Sequence, residues 1–161
     1  MKDSEIIKKA EEYIKEFLKY LNIDCKSKVS MEADEADEKY LKVIIEGDDL
    51  GYLIGYRGKT LNALQVIFGQ IISNEAGGII RVLIDVNDYR QRRKEYLGSL
   101  AYRAVREVRD SGQSVDMPAL SAYERRIVHM TLKGEEDIKT ESEGEDEDRH
   151  IVIKPVKKGK K

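Results

Sequence analysis

The stretch "GYLIGYRGKTLNALQVI", residues 51 to 67, places a glycine turn between two helical patterns and decides how the first half of the chain folds. Its "GKT" is similar to the end of a nucleotide-triphosphate loop. That loop requires G-x-x-x-x-G-K-[ST], because its four intervening residues wrap a diphosphate with backbone N–H groups. Only two residues separate Gly55 from Gly58, and Leu53 stands where the first glycine should be. The turn is therefore too short to be a triphosphate loop.

A G-x-x-G turn of this kind suits a phosphodiester. Because Gly55 and Gly58 carry no side chain, a sugar-phosphate backbone can come close to the main chain here. The helix predicted to start at about Lys59 adds exposed N–H groups and the positive end of its dipole, which favour an anion. Arg57 and Lys59 add positive charge. We therefore expect Gly55, Arg57, Gly58 and Lys59 to hold a nucleic-acid backbone.

Apolar residues flank the turn at regular spacing. Leu53 and Ile54 precede it, and Leu61 and Leu64 follow it. We expect Ile54 and Leu61 to help form a shallow hydrophobic platform on which bases can rest. The alternative is a corner between two helices that needs glycine for its geometry alone, without any ligand.

Hydrophobic periodicity predicts the element order α-β-β-α-α-β for the first half of the chain. A first amphipathic helix, with Ser4 as its N-cap, precedes two strands that we expect to pair antiparallel. A short and a longer helix surround the glycine turn, and a well-buried strand ends this half. The predicted ranges are residues 4–20, 29–33, 41–45, 49–54, 59–74 and 79–86.

A long basic helix, at residues 87–112, opens the second half. Its apolar stripe should bury Tyr96 among other residues. By steps of 100°, Arg92, Arg103 and Arg106 fall within about 60° of one another, so they share an exposed face. We take these three arginines as a candidate basic track for nucleic acid.

The rest of the second half predicts one more helix and three strands. An S-x-x-E capping box, Ser121 with Glu124, predicts that the helix starts at Ser121. The fold class is therefore α+β with two small domains, each a set of helices on a three-stranded sheet. The strands are predicted at residues 114–117, 137–142 and 149–155, the domains at 1–87 and 88–155, and a basic disordered tail at 156–161.

The segment "YERRIVH" is the second constellation that suits nucleic acid. Arg125 and His129 are four residues apart on a capped helix, so they lie on one face, one turn apart. An arginine fork recognises phosphate, and an imidazole can stack or donate a hydrogen bond. Taken alone, R-x-x-x-H is common, and a surface arginine beside a half-buried histidine is the better interpretation of an isolated match.

Composition excludes several classes of protein. The 161-residue chain has a formal net charge of -2, so any anion-binding surface must be a local patch. A single cysteine, Cys25, excludes an intramolecular disulfide and a zinc cluster. We find no candidate catalytic residue, metal ligand or cofactor motif and expect a protein that is not an enzyme. No apolar run is long enough for a membrane span, and we expect a cytoplasmic protein without direct membrane insertion.

The glycine turn and the order α-β-β-α-α-β resemble the type II KH domain, which clamps single-stranded nucleic acid across its GxxG loop. The segments "MPALSAYERRIVHMTL" and "RHIVIKP" resemble the domain named for the R-x-x-x-H motif, the R-three-H domain. This context reverses the interpretation of the isolated motif, and the resemblance implies that Arg125 and His129 contact single-stranded nucleic acid. A KH domain followed directly by an R-three-H domain is the arrangement of the Jag family, also called KhpB, EloR or SpoIIIJ-associated. The resemblance covers the chain from about residue 30 onward.

Membership of this family implies a function. It implies binding of single-stranded RNA, with single-stranded DNA as a further candidate, and a post-transcriptional regulator or RNA chaperone linked to bacterial cell elongation and division. It also implies partnership with a small single-KH protein, KhpA, and homodimerisation is a further candidate. The alternative is a protein-interaction adaptor, associated with KhpA or a membrane insertase, whose nucleic-acid contact is incidental.

Four further features carry weaker expectations. Tyr56 occupies a loop position where the family usually has small or basic residues, and it is a weak candidate contact. Arg90 and Arg93 could extend the basic track, although solvated surface is the better interpretation. His150 is expected to be structural. The acidic run from Glu135 to Asp148 is expected to form a solvated hairpin tip away from the binding face.

Overall fold

The computed structural model describes residues 1–156, which form two compact units. The first unit runs from Met1 to Arg90 and the second begins at Gln91. The predicted tail begins at Val156, and its remaining residues, 157–161, lie outside the described part of the chain. Within residues 1–156 no helix is both long and apolar enough to cross a membrane.

The first unit has the predicted element order, in which a short and a long helix separate the second strand from the third. One turn of 3-10 helix, Tyr56–Gly58, joins those two helices. The unit consists of α1 (Asp3–Tyr20), β1 (Lys26–Ala33), β2 (Lys39–Glu46), α2 (Gly51–Ile54), α3 (Lys59–Ala76) and β3 (Arg81–Val86).

The three strands of the first unit form one sheet in the order β1-β2-β3. β1 and β2 pair antiparallel, as predicted, with Val29 opposite Val43. β2 and β3 pair parallel, with Val43 opposite Ile84. A parallel pair cannot be joined by a hairpin and needs a crossover, which is usually helical. The crossover here contains α2, the glycine turn and α3.

Helices α1 and α3 supply the other half of this core. α1 buries Ile6, Ala10, Ile14 and Leu18 at a spacing of four residues, which places them on one side of the helix. These side chains pack with alternate residues of β2 and β3, such as Leu41 and Val43, and with Leu61, Phe68 and Ile72 of α3. Burial of this apolar face provides the main stabilisation of the unit.

The N-cap of helix α1 lies two residues before the predicted one. Lys2, not Ser4, holds the N-cap position, and its backbone N–H donates to Glu5 Oε2 at 2.9 Å. The Ser4 prediction was wrong because a glutamate three residues after the cap position can accept from the cap's backbone N–H whatever the cap residue is.

The second unit also has the predicted order, with all strand pairs antiparallel. Its sheet has the strand order β4-β6-β5. Its core combines the apolar stripe of the long helix, which includes Leu97 and Val105, with Val128 and with Ile151 and Ile153. The elements are α4 (Tyr89–Ser111, from Gln91 in this unit), β4 (Val115–Asp116), α5 (Ala122–Thr131), β5 (Ile138–Glu143) and β6 (His150–Pro155).

Tyr96 is a correction to the predicted stripe of α4. Its side chain is 51% exposed, whereas the adjacent Leu97 is fully buried. One residue corresponds to about 100° around the helix, which takes Tyr96 out of the buried stripe. The Arg93 guanidinium instead lies 5.3 Å from the centre of the Tyr96 ring.

The capping box at the start of α5 is present and extends into a buried ion pair. Ser121 Oγ accepts the Glu124 backbone N–H, and Glu124 Oε2 accepts the Ser121 N–H at 3.0 Å. The other carboxylate oxygen of Glu124 accepts from Arg93 Nε at 2.8 Å. Glu124 is only 7% exposed, so this carboxylate joins the beginning of α5 to α4 within the core.

We expect Glu124→Ala to destabilise the second unit. The change removes the carboxylate that accepts the Ser121 backbone N–H, and it leaves the largely buried guanidinium of Arg93 without a partner. The free energy of unfolding should therefore fall by about 3 kcal/mol. Urea unfolding followed by NMR signals of α5 measures this change. Glu136→Ala, at an exposed position, should stay within about 0.5 kcal/mol of the wild type, and equal values for both variants would contradict the role of the pair.

Candidate nucleic-acid interface

The glycine turn contains three residues with positive φ angles. Gly55, Arg57 and Gly58 have φ angles of 69°, 51° and 78°. Glycine adopts this region without strain, but for Arg57 it costs about 1–2 kcal/mol. Residues held in such conformations cluster at binding sites, and the role of this turn in binding stays a prediction.

Close packing beneath the turn also requires both glycines. A Cβ atom on Gly55 would enter the space of the Thr60 side chain, and one on Gly58 would lie 2.9 Å from Cε1 of Tyr89. The corner-geometry alternative therefore accounts for both glycines without a ligand. Evidence for a ligand must come from the surface that the turn presents.

The N-terminus of α3 is open to an anion. Gly58 at its N-cap position provides no side-chain hydrogen bond, and the first turn of the helix contains no acidic residue. The first N–H groups of a helix have no intrahelical acceptor, and they carry the positive end of its dipole. Lys59 and Thr60 are exposed in that first turn, and Arg57 is half-buried beside it.

The apolar platform differs from the prediction. Ile54 is half-buried, as a platform residue could be, but Leu61 is only 1% exposed and packs in the core. Leu61 cannot present a surface to bases, because the side of α3 that carries it faces the sheet. Exposed rings lie nearby in the chain instead, since Tyr52 and Tyr56 are 54% and 68% exposed.

The ring of Tyr56 is held by its neighbour. The Arg57 guanidinium lies 4.9 Å from the centre of that ring, within the range of a cation–π contact. Sequence reasoning ranked Tyr56 low and omitted Tyr52. The available signal was a pair of tyrosines four positions apart, on either side of Gly55.

In the second unit the two motif residues of α5 are each anchored. The Arg125 guanidinium donates to the backbone carbonyl of Leu120 at 2.7 Å and is half-buried. The imidazole of His129 is exposed, and its Nδ1 forms a hydrogen bond with the hydroxyl of Thr140 on β5 at 2.5 Å. The ring is therefore oriented by a threonine that the motif does not include.

The candidate arginines of α4 separate into two groups. Arg92, Arg103 and Arg106 are exposed, and within residues 1–156 none of them forms an ion pair. Arg90 instead donates to the Ile84 carbonyl at 2.9 Å and to Gln65 at 2.8 Å. Arg93 pairs with Glu124, so Arg90 and Arg93 serve structural contacts.

Most residues of the acidic run either form ion pairs or lie at the tip of a hairpin. Arg109 pairs with Glu135 and Asp137, and Lys154 pairs with Glu141. Hydrogen bonds from Lys139 and Lys154 lower the pKa of Glu141 to about 2. Exposed residues Asp146–Asp148 form a 3-10 turn between β5 and β6.

His150 has structural partners. Its Nδ1 donates to the Asp148 carbonyl at 2.8 Å, and its Nε2 lies 3.5 Å from the carboxylate of Asp116. Strand β5 separates Glu141 from His129. Side chains alternate between the two faces of a β-strand, so Glu141 points to the side of β5 opposite to Thr140, the partner of His129.

Comparison with known protein families assigns both units. The family model described as "KhpA/KhpB, KH domain" matches residues 11–84, and that of the R-three-H domain matches residues 95–155. The chain is therefore a KH and R-three-H two-domain protein.

Relatives named "RNA-binding protein KhpB" match most of the chain. The Clostridium symbiosum protein is 39% identical over 125 residues, which are 78% of this chain and 56% of the relative. The Bacillus subtilis protein is 36% identical over 121 residues, 74% of this chain and 58% of the relative. The chain thus spans under two thirds of the length of either relative. It belongs to the Jag/KhpB family, as its motifs predicted.

We expect Gly58→Ala to destabilise the first unit by about 1–3 kcal/mol. An alanine at a φ of +78° is strained, and its Cβ would displace the Tyr89 ring. Urea unfolding followed by NMR signals of β2 measures the effect.

Gly69→Ala is the matched control on α3. A Cβ at this position meets no atom within 4 Å, and alanine is favoured in a helix, so stability should rise by about 0.5–1 kcal/mol. Equal stability of the Gly58→Ala variant and the wild type would show that the packing under the turn is not restrictive.

Proposed function

We propose that this protein binds single-stranded RNA through its KH and R-three-H domains. The observation that carries the proposal is the uncapped N-terminus of α3, which directly follows the G-x-x-G turn and has Arg57 and Lys59 beside it. Backbone N–H groups, a helix dipole and two cations meet at a turn where two residues have no side chain. That arrangement suits a phosphodiester backbone.

The surroundings of the turn favour a single strand. Half-buried Ile54 and the exposed rings of Tyr52 and Tyr56 offer apolar and aromatic surfaces next to the phosphate-binding groups. Stacking of bases on such rings requires bases that are not paired in a duplex. The segment of α5 that contains Arg125 and His129 would add a second contact, with Arg92, Arg103 and Arg106 as a basic track.

The relatives support RNA as the ligand, because they are named RNA-binding proteins. By family resemblance we further propose a cytoplasmic post-transcriptional regulator or RNA chaperone, linked to bacterial cell elongation and division, with KhpA as a partner. Nothing in this proposal requires a catalytic activity. Single-stranded DNA is the competing ligand of the same chemistry.

One observation favours the second candidate function, a protein-interaction adaptor. Val66 and Ile67 lie side by side on α3 and are 71% and 54% exposed, and Ile79 before β3 is 95% exposed. Exposed apolar side chains on a folded unit are typical of protein-binding surfaces when they form a patch. KhpA or a second copy of this chain would be the partner of such a surface.

Fluorescence anisotropy with a short labelled single-stranded RNA at several salt concentrations tests RNA binding. If about four phosphates are neutralised, the log-log slope of affinity against salt should be near -2.8, from about 0.7 per phosphate. A single-stranded DNA of the same sequence and an RNA duplex show which ligand is preferred.

The double change Tyr56→Asp with Arg57→Asp should weaken RNA binding by at least about tenfold, or about 1.4 kcal/mol. It reverses the charge of the turn, and aspartate tolerates the left-handed conformation of residue 57, so the fold should persist. Circular dichroism provides that control.

Val66→Glu with Ile67→Glu is the matched change for the adaptor function, and it should leave RNA affinity unaltered. Wild-type protein without salt-sensitive binding would refute the RNA proposal. If this variant alone changed the oligomeric state or KhpA binding in light scattering, the adaptor function would be favoured instead.

A further inference from the structure

Helix α5 exposes a face that its motif describes only in part. Tyr123, Arg126, His129, Met130 and Lys133 recur at intervals of three and four residues, so they share one side of α5 and the turn that follows it. All five are exposed, and we call them the outer α5 face. The opposite side of the helix carries Glu124 and Val128 into the core.

The outer α5 face is positively charged and contains no carboxylate. Within residues 1–156, neither Arg126 nor Lys133 forms an ion pair. The contrast with other cations of this unit is clear, since Arg109 and Lys154 are each held by two acidic residues. In α5 the only carboxylate is that of Glu124, which is buried and paired with Arg93.

The two adjacent arginines of α5 have different environments. Arg125 is half-buried, and its guanidinium supports the Leu120 carbonyl before the helix. Arg126 is exposed, with no hydrogen bond to another described residue from its side chain. His129 lies about 40° around the helix from Arg125 and about 60° from Arg126, so both arginines are near the imidazole. Arg126 is the one whose charge is available to a ligand.

Two large side chains on this face provide surfaces for bases. Tyr123 is 67% exposed and Met130 is 54% exposed. An exposed aromatic ring next to cations is the combination by which proteins bind single strands, because every base can stack on the ring while its phosphate meets a cation. Tyr123 and Lys133 are ten residue steps apart, which corresponds to about 15 Å along a helix, enough for a short stretch of nucleotides.

We propose that the outer α5 face binds a segment of single-stranded RNA, with Tyr123 stacked on a base and Arg126 and Lys133 on phosphates. Arg126, and not the motif residue Arg125, is then the phosphate-binding arginine of this domain. Arg125 holds the start of α5 in place. This inference rests on the proposed RNA binding and specifies which residues of the second domain contact the strand.

Affinity and its salt dependence in the full chain test the proposal, with the same labelled single-stranded RNA. Arg126→Gln should reduce the log-log salt slope by about 0.7, the loss expected for one phosphate contact. Lys8→Gln is the matched control, because Lys8 is an exposed lysine of α1 whose removal changes the net charge equally. The control should leave the slope unchanged. Arg125→Gln should lower the melting temperature of the protein more than Arg126→Gln does.

Tyrosine variants test stacking separately from charge. Tyr123→Ala should weaken binding by about fivefold, the lower end of the effect of one base-aromatic stack, with no change in the salt slope. Tyr123→Phe should bind like the wild type, since it keeps the ring. Equal losses for Phe and Ala would contradict stacking.

The outcomes separate this inference from the proposed function. If the wild type binds RNA and the Tyr56 and Arg57 double variant loses affinity, but Arg126→Gln behaves like Lys8→Gln, the outer α5 face is not an RNA surface and only this inference fails. A slope that falls for Arg125→Gln and not for Arg126→Gln would also overturn it. Wild-type protein without salt-sensitive RNA binding would refute both, and would leave a protein ligand as the occupant of this face.

Discussion

The parallel pairing of β2 with β3 is the constraint on which the first unit depends. Leu41 and Val43 lie opposite Val82 and Ile84 in this pair, and all four are buried. Because parallel strands need a crossover, the chain must leave the sheet after β2, run through helices and return. Residues with positive φ angles, Gly55, Arg57 and Gly58, connect α2 to α3 within this crossover. The candidate binding site thus lies on the connection that the sheet requires.

Local patterns in the sequence predict the elements well, and contacts between distant residues account for what they miss. The capping box of Ser121 and Glu124 was predicted because both residues lie within one helical turn. The partner of Glu124 is Arg93, 31 positions earlier, and no periodicity links the two. Leu61 was placed on the surface for a related reason: apolar spacing marks a residue as hydrophobic but does not show which neighbour covers it.

The cations that are available to a ligand could not be predicted from composition either. The net charge of -2 says nothing of which cations remain available after folding. In the second unit, Arg109 and Lys154 are occupied by acidic residues of the run that begins at Glu135. By contrast, Arg92, Arg103 and Arg106 of α4 and Arg126 of α5 are exposed and have no such partners among residues 1–156. A run of acidic residues therefore need not oppose an anion-binding surface in the same unit, because ion pairs neutralise part of it.

In both units, residues that define the motif also stabilise the fold. The Tyr89 ring lies too close to Gly58 to leave room for a Cβ atom, and the Arg125 guanidinium donates a hydrogen bond to the Leu120 carbonyl. Loss of binding after a change at either position would therefore mix a folding effect with a contact effect. Arg57 and Arg126 are better probes, because aspartate is tolerated at the backbone angles of the first and the second is exposed. The function of a conspicuous motif is best measured at the neighbours that its geometry orients.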